Sequence, residues 1–442
     1  MHLFQLNRNP DTIQGMEKDE TKPTLEQIEH FLQGMIAKLE PIHTDPTGRG
    51  RPRVLPAMCL WAGVVVCVLR GWSSQLAIWR LLSQKRLWDY PRFPISDQAI
   101  YKRLDQGGSE PLRQLFSLVS QALVERLAPF AQQLASFASE VVAIDQTTLD
   151  QVLRHLPRLR EVPKGDRQLL AGKLAAVFDL CLQQWRYVEH IADPDQNEKV
   201  VAASLLDHIQ RGALILMDLG FFSFAWFDQL TREGYYWISR LRQKTSYEII
   251  HTFYQQGTTF DGLVWLGAYR ADRARYAVRL VTFQVGEVSY QYITNVIQPT
   301  QLSLHDIAVL YARRWDIEMA FKLIKRELDL HLFWSAKQTV VLQQVWAVLL
   351  IAQILHALQL EIAGRAGVDP FDVSLPLLIE YLPRWNDVDF VQLAVERGRQ
   401  AGFIRPSRRI RIKTPPVDLQ AYAPLPPDLI RVREPRYAHR RC

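Results

Sequence analysis

The chain has 442 residues, more than one hydrophobic core usually serves, so two to four domains are expected. With 48% hydrophobic, 22% charged and 10% aromatic residues it can bury a sizeable core, which excludes disorder for most of its length. A net charge of +7 and a pI near 9.2 permit a polyanionic partner without demanding one.

The N-terminus, "MHLFQLNRNPDTIQGMEKDE", lacks the basic-then-apolar layout of a signal peptide. Thr24 precedes "LEQIEHFLQGMIAKLE", whose apolar positions recur at helical spacing. A link rich in Gly, Pro and Arg follows, then "VLPAMCLWAGVVVCVL" from Val54 to Leu69. That run includes Pro56 and is shorter than the roughly 20 residues a membrane span needs, so a buried helix is expected. "SSQLAIWRLLSQ" and "PISDQAIYKRLDQGG" are two more helices, the second capped by Ser96 and stopped at Gly107 and Gly108. The pair is compatible with a helix-turn-helix or with ordinary helical packing. The four cysteines, Cys59, Cys67, Cys181 and Cys442, form no CxxC pair and have no His neighbours at ligand spacing. That argues against a zinc site or a disulfide framework and fits a reducing compartment.

From Ser139 the period changes. "EVVAID" reads as a buried strand ending on Asp145, and "KLAAVFDL" and "WRYVEHIAD" as an antiparallel pair. "NEKVVAASLLDHIQRG" is helical, and "ALILMD" is a second apolar run ending on an aspartate, Asp218. "FAWFDQLTREG" is a helix and "YYWISRLR" a strand, which makes a mixed α/β core. Between Lys244 and Gln298 the pattern is all strand. "SLHD" then matches a capping box that opens a helical stretch.

That stretch contains "YARRWDIEMAFKLIKRELDL", Tyr311 to Leu330. At about 100° per residue, Tyr311, Arg314, Glu318, Lys322, Lys325 and Asp329 fall on one narrow stripe. Arg313, Asp316 and Glu327 lie opposite, and apolar flanks separate the two arcs. A surface helix has one polar face, so two polar arcs imply that the first points into a site while the second is solvated. The alternative is an exposed helix with i,i+4 pairs such as Glu318–Lys322. Asp145, Asp218 and Glu318 supply three carboxylates that could converge. Hard oxygen ligands suit Mg²⁺ or Mn²⁺, and two such ions can activate water and steady a leaving oxygen in phosphodiester cleavage.

Tyr311, Arg314, Glu318 and Lys325 reproduce the spacing Tyr-(two)-Arg-(three)-Glu-(six)-Lys. "AIDQTTLD" and "MDLGFF" resemble first and second aspartate motifs, and "YQYITNV" leads into "YARRWDIE". Over Ser139 to Leu330 the chain thus resembles the insertion-sequence-4 type of DDE transposase. The resemblance implies a ribonuclease H-like α/β fold, a mixed sheet flanked by helices, with a β-rich insertion before the catalytic glutamate and a helical N-terminal region. It implies that Asp145, Asp218 and Glu318 bind two Mg²⁺ or Mn²⁺ ions, and that Tyr311, Arg314 and Lys325 grip DNA phosphates. Trp315 resembles an aromatic that stacks on a displaced base, against a plain core role, and Arg240 is a further candidate DNA contact. Gln146 and Leu219 depart from the family pattern, and the second departure removes one expected DNA contact.

The implied organisation is a helical region at 1–137 for DNA-end recognition, a catalytic core at 138–242 and 299–360, the insertion at 243–298, and helices with a basic tail at 361–442. The implied function is cut-and-paste transposition by a homodimer on double-stranded DNA, in a bacterial-type cytoplasm beside the nucleoid. The alternatives are a metal-dependent nuclease without strand transfer and a non-cutting DNA-binding regulator. "RGRPR" (Arg49 to Arg53) resembles an AT-hook core or is a basic linker. "RPSRRIRIK" (Arg405 to Lys413) tracks a phosphate backbone or is solvated.

Overall fold

The computed structural model describes residues 23–39, 54–149, 172–335, 337–384, 388–407 and 412–434. The first twenty residues, the "RGRPR" stretch, positions 408–411 of the basic run and the tail beyond 434 lie outside them.

Among the described residues five helices come first: α1 (Thr24–Leu39), α2 (Ala57–Leu69), α3 (Gln75–Ser83), α4 (Asp97–Gln106) and α5 (Glu110–Leu127). The apolar run at Val54–Leu69 forms the expected buried helix: Met58 to Leu69 are all buried. Ser74 Oγ accepts from the Ala77 N–H at 3.1 Å and Ser96 Oγ from Ala99 at 3.3 Å, so α3 and α4 start at their serines. Residues 84–96 separate these two helices, too long a connection for the tight turn of a helix-turn-helix.

The central sheet begins with β1 (Val141–Thr148), β2 (Lys173–Asp179) and β3 (Gln184–Ile191). Then come α6 (Glu198–Leu206), β4 (Leu214–Met217), α7 (Phe224–Arg232) and β5 (Tyr236–Arg240). β2 is antiparallel to β1 and β3, whereas β4 is parallel to both β1 and β5, in the order β3-β2-β1-β4-β5. This is the ribonuclease H-like arrangement, reached through helical crossovers at α6 and α7. Val142 and Ile144 pack under α6 and α7, while Val141 and Ala143 face the opposite layer. A strand covered on both faces has no polar side to present, which is why β1 and β4 begin as unbroken apolar runs.

Four more strands, β6 (Tyr247–Gln256), β7 (Thr259–Leu266), β8 (Val278–Val285) and β9 (Val288–Thr294), extend the same sheet rather than forming a second one. β9 pairs antiparallel with β5, and β8, β7 and β6 follow outward. The segment 412–434 is laid over this extension: Ala423 N–H donates to Phe253 O at 2.8 Å, and Ala277 N–H to Arg431 O at 2.9 Å.

On the other face lie α8 (Leu304–Arg313), α9 (Trp315–Lys322) and α10 (Gln338–Ala366), then α11 (Leu375–Tyr381) and α12 (Phe390–Ala401). α8 opens with the expected capping box between Ser303 and Asp306. α10 is long and apolar enough to cross a membrane, yet 94% of its most apolar window is buried inside the protein. It packs against α2, α5 and α12 and against β3, so the N-terminal helices, the sheet and the C-terminal helices share one core. The expected boundary at 360/361 falls within α10, because a helix buried on all sides cannot be divided between two units.

Candidate active site

Asp145 lies inside β1, which runs on to Thr148 instead of ending at the aspartate. Strand alternation turns its side chain to the α8–α9 face, as it does Val141 and Ala143. Asp218 follows β4. The parallel register pairs Ile144 with Met217, so the next step sets Asp218 level with Asp145 on the neighbouring strand, about 4.8 Å across the sheet. α9 packs on β1 and brings Glu318 over this edge.

Arg314 stands among the three carboxylates. Its Nη2 pairs with Glu318 Oε1 at 2.5 Å, and its Nη1 lies 3.9 Å from Asp145 Oδ2. The residue is only 5% exposed, and its Nε and Nη1 are buried without a hydrogen-bond partner. Burial opposes its charge, but Tyr311, Asp218 and Glu318 outweigh it and hold the guanidinium pKa above its ordinary value. Asp145 is pushed up to about 7, first by burial and then by Glu318 and Asp218. The Gln146 N–H, which donates to Asp145 Oδ1 at 2.8 Å, and Arg314 pull the other way.

Tyr311 lies beneath. Its hydroxyl donates to Met217 O at 3.4 Å, its ring is 4.9 Å from Tyr292, and burial raises its pKa to about 12. The exposed Arg240 reaches back over this ring at 5.5 Å. Lys325 Nζ donates to Thr148 O at the end of β1. Trp315 is 49% exposed with the Arg314 guanidinium 5.4 Å from its ring, which rules out the core role. The sequence-selected residues Asp145, Asp218, Tyr311, Arg314, Trp315, Glu318, Lys325 and Arg240 therefore all border one edge of the sheet.

Two expectations about the helix fail. It is not continuous: a turn at Arg314 separates α8 from α9, and a π-helical turn at Leu323–Glu327 follows. Lys322 is exposed, and Asp329, at φ 53°, turns away to accept from Ser73 Oγ at 3.5 Å. The six-residue stripe assumed an ideal helix, and the π turn breaks its angles beyond Lys322. The opposite arc is not solvated either. Arg313 and Asp316 are buried; Arg313 Nη1 donates to Asp369 Oδ1 at 3.1 Å, and Gln183 Nε2 donates to Asp316 Oδ2 at 2.9 Å. Layers on both sides of the helix cover Arg314 on one arc and Arg313 and Asp316 on the other. Arg242 was missed in the sequence, although it lies two residues beyond Arg240. Its Nη2 donates to Leu219 O at 2.9 Å, and its guanidinium is 5.0 Å from the Phe222 ring.

Residues 137–354 match the transposase DDE domain model. The transposase for insertion sequence element IS231F of Bacillus thuringiensis subsp. israelensis is 22% identical over 382 residues, 73% of this chain and 76% of the relative. The transposase for IS231C of Bacillus thuringiensis subsp. berliner is 26% identical over 343 residues, 64% and 68% of the two chains. Residues 137–354 of this chain are thus a transposase DDE domain. A piggyBac transposase synaptic complex with hairpin DNA aligns over 90% of this chain and 84% of that chain, at 10% identity and a TM-score of 0.40, too distant to add to the topology.

DDE transposases generally use divalent metal ions. Among the described residues no three His, Cys, Asp or Glu groups stand close enough to hold an ion as they are. The chemistry of the set nevertheless suits one: Glu318 and Asp218 lie near enough to act on the Asp145 carboxyl, all three are oxygen donors, and the Arg314 cation offsets their charge.

Proposed function

We propose that this enzyme is of the insertion-sequence-4 type and works by cut-and-paste: it cuts DNA at the ends of an element and joins them to a target. The observation that carries this reading is the placement of Asp145, Asp218 and Glu318, from three distant segments, around one buried guanidinium. Asp145, Asp218 and Glu318 would hold two Mg²⁺ or Mn²⁺ ions. Such ions supply Lewis acidity for hydrolysis and for attack by the freed 3′-hydroxyl.

The chain's own groups would do the rest. Arg314 has buried N–H groups to spare and would exchange its hold on Glu318 for a DNA phosphate oxygen. Lys325, at the end of β1, and Tyr311, anchored to β4, would fix the same strand from either side. Exposed Trp315 would stack on an unpaired base, and Arg240 would reach the same end. A homodimer on paired ends, beside the nucleoid of a bacterial-type cytoplasm, completes the reading.

The test is incubation of purified protein with linear DNA carrying its own element ends and Mg²⁺ or Mn²⁺, beside a Glu318→Gln variant. Nicked and joined products are expected from the wild type, and a loss of at least about a hundredfold from the variant. Nicking without joining would favour the nuclease reading, and binding without either would favour the regulator. Equal activity of the two proteins would overturn the metal assignment.

A further inference from the structure

The turn between β7 and β8 is held against α7, the helix that follows the Asp218 loop. Gly267, at φ 76°, closes the turn; a Cβ there would lie 2.8 Å from the Phe224 ring and 3.1 Å from the Arg273 Cα, so only glycine allows this approach. Its N–H donates to Ser246 O at 2.7 Å, and the N–H groups of Arg275 and Tyr276 both donate to the Asp228 carboxylate on α7. On this platform Tyr269 is 89% exposed, and the Arg270 guanidinium sits 5.5 Å from the Phe224 ring.

Cations gather around it from three parts of the chain. Arg242 comes from beyond β5, Arg270, Arg273 and Arg275 from the turn, and Arg433 from the C-terminal segment. Among the described residues Arg242, Arg273 and Arg433 form no ion pair and donate only to backbone carbonyls, those of Leu219, Glu434, Ala274 and Leu266. Arg273 keeps a buried Nε without a partner. Arg270 and Arg275 are paired to Asp272 and Glu434, but all four side chains are well exposed, and such pairs exchange readily for phosphate. Burial first, and then the charge of Arg273, lower the pKa of Arg433, against a pull from Glu248 and Asp228.

A rigid, exposed surface of planar cations with one projecting aromatic ring has the chemistry of a phosphate-backbone contact. Its position selects the duplex. Through Arg242 it abuts Leu219 and Phe222, directly after Asp218, on the α6–α7 side of the sheet edge. The N-terminal helices pack from the other side, on α10 and β3. Joining requires two duplexes at one site, and these two flanks are separate. We propose that Arg242, Tyr269, Arg270, Arg273, Arg275 and Arg433 form the surface that holds the target duplex, a proposal that rests on the transposase reading.

The test compares the full-length protein with Tyr269→Ala/Arg270→Glu and with Arg270→Lys, all of which change solvent-exposed side chains. Binding to a duplex that lacks element ends, and to one that carries an end, is followed by fluorescence anisotropy across a salt series. Joining to a supplied plasmid is measured alongside nicking of the ends. The double variant is expected to bind the end-less duplex about tenfold more weakly, with a shallower salt slope. Joining should fall with it, while end binding and nicking stay within about twofold and Arg270→Lys behaves as wild type. Unchanged affinity for the end-less duplex, or an equal loss on both duplexes, overturns the assignment. If the wild type neither nicks nor joins, the transposase reading fails, and selective loss of end-less binding still establishes this face as a duplex-binding surface.

Discussion

At the scale of single residues, Arg314 is the charge on which the site balances. Removing it leaves Glu318 and Asp145 facing each other beside Asp218, and partial exposure of Glu318 softens the cost to about 1–3 kcal/mol. Arg314→Ala should therefore melt lower than wild type in chelator and gain more than wild type from added Mn²⁺, as read by thermal shift. His356, buried in α10 against the Phe178 ring, has its pKa lowered to about 4 by burial, against a smaller pull from Gln359. Between pH 6.5 and about 4 the unfolded chain binds this proton and the folded chain does not, so stability falls as pH falls through that window. The full traverse is worth on the order of 3 kcal/mol. Melting temperatures taken from pH 7 to pH 4 should fall less steeply for His356→Leu than for wild type; parallel curves would show that the histidine is not the sensor.

At the scale of elements, the outer strands are locked by a buried ion pair. Arg279 meets Asp261 through two bonds of 2.7 and 2.6 Å, with neither side chain exposed, and Tyr422 donates to the same carboxylate at 3.0 Å. Breaking such a pair from one side strands a buried charge and costs about 3–5 kcal/mol. Asp261→Leu or Arg279→Leu should each destabilise the protein by that order in chemical unfolding, while the double leucine variant recovers most of the loss. Local signals announced much of this level: Ser96, the Ser303–Asp306 box and the apolar runs of β1 and β4 each act over a few neighbouring residues. The break at Arg314 and the π turn at Leu323–Glu327 carry no such signal, because packing on β1 and α10, not local propensity, sets them.

At the scale of the whole molecule, α10 is the common axis. Its residues from Val340 to Ala363 are buried almost without interruption, under α2 and α5 on one side and β3 on another. A chain beginning at residue 138 would lose α1–α5 and expose that apolar surface. It is expected to aggregate or bind a hydrophobic dye on purification, whereas independent domains would leave a soluble core with a cooperative melt. The nine-stranded sheet has the same consequence on its other side, since the insertion continues the β5 edge and closes what would otherwise be an open strand.

The amino-acid sequence by itself determined the order and type of most elements, their caps, and the short set of charged residues worth testing. Periodicity, capping and turn chemistry are local, and the spacing of Tyr311, Arg314, Glu318 and Lys325 is written in the chain. Only the tertiary structure decided which charges are inside. Arg313 and Asp316 read as solvated until Asp369 and Gln183 meet them, and Asp329 reads as a site residue until its turn carries it away. The basic face around Tyr269 likewise exists only where β5, the β7–β8 turn and the C-terminal segment come together. Burial and charge depend on what packs against both sides of an element, and those partners lie tens to hundreds of residues away in the chain.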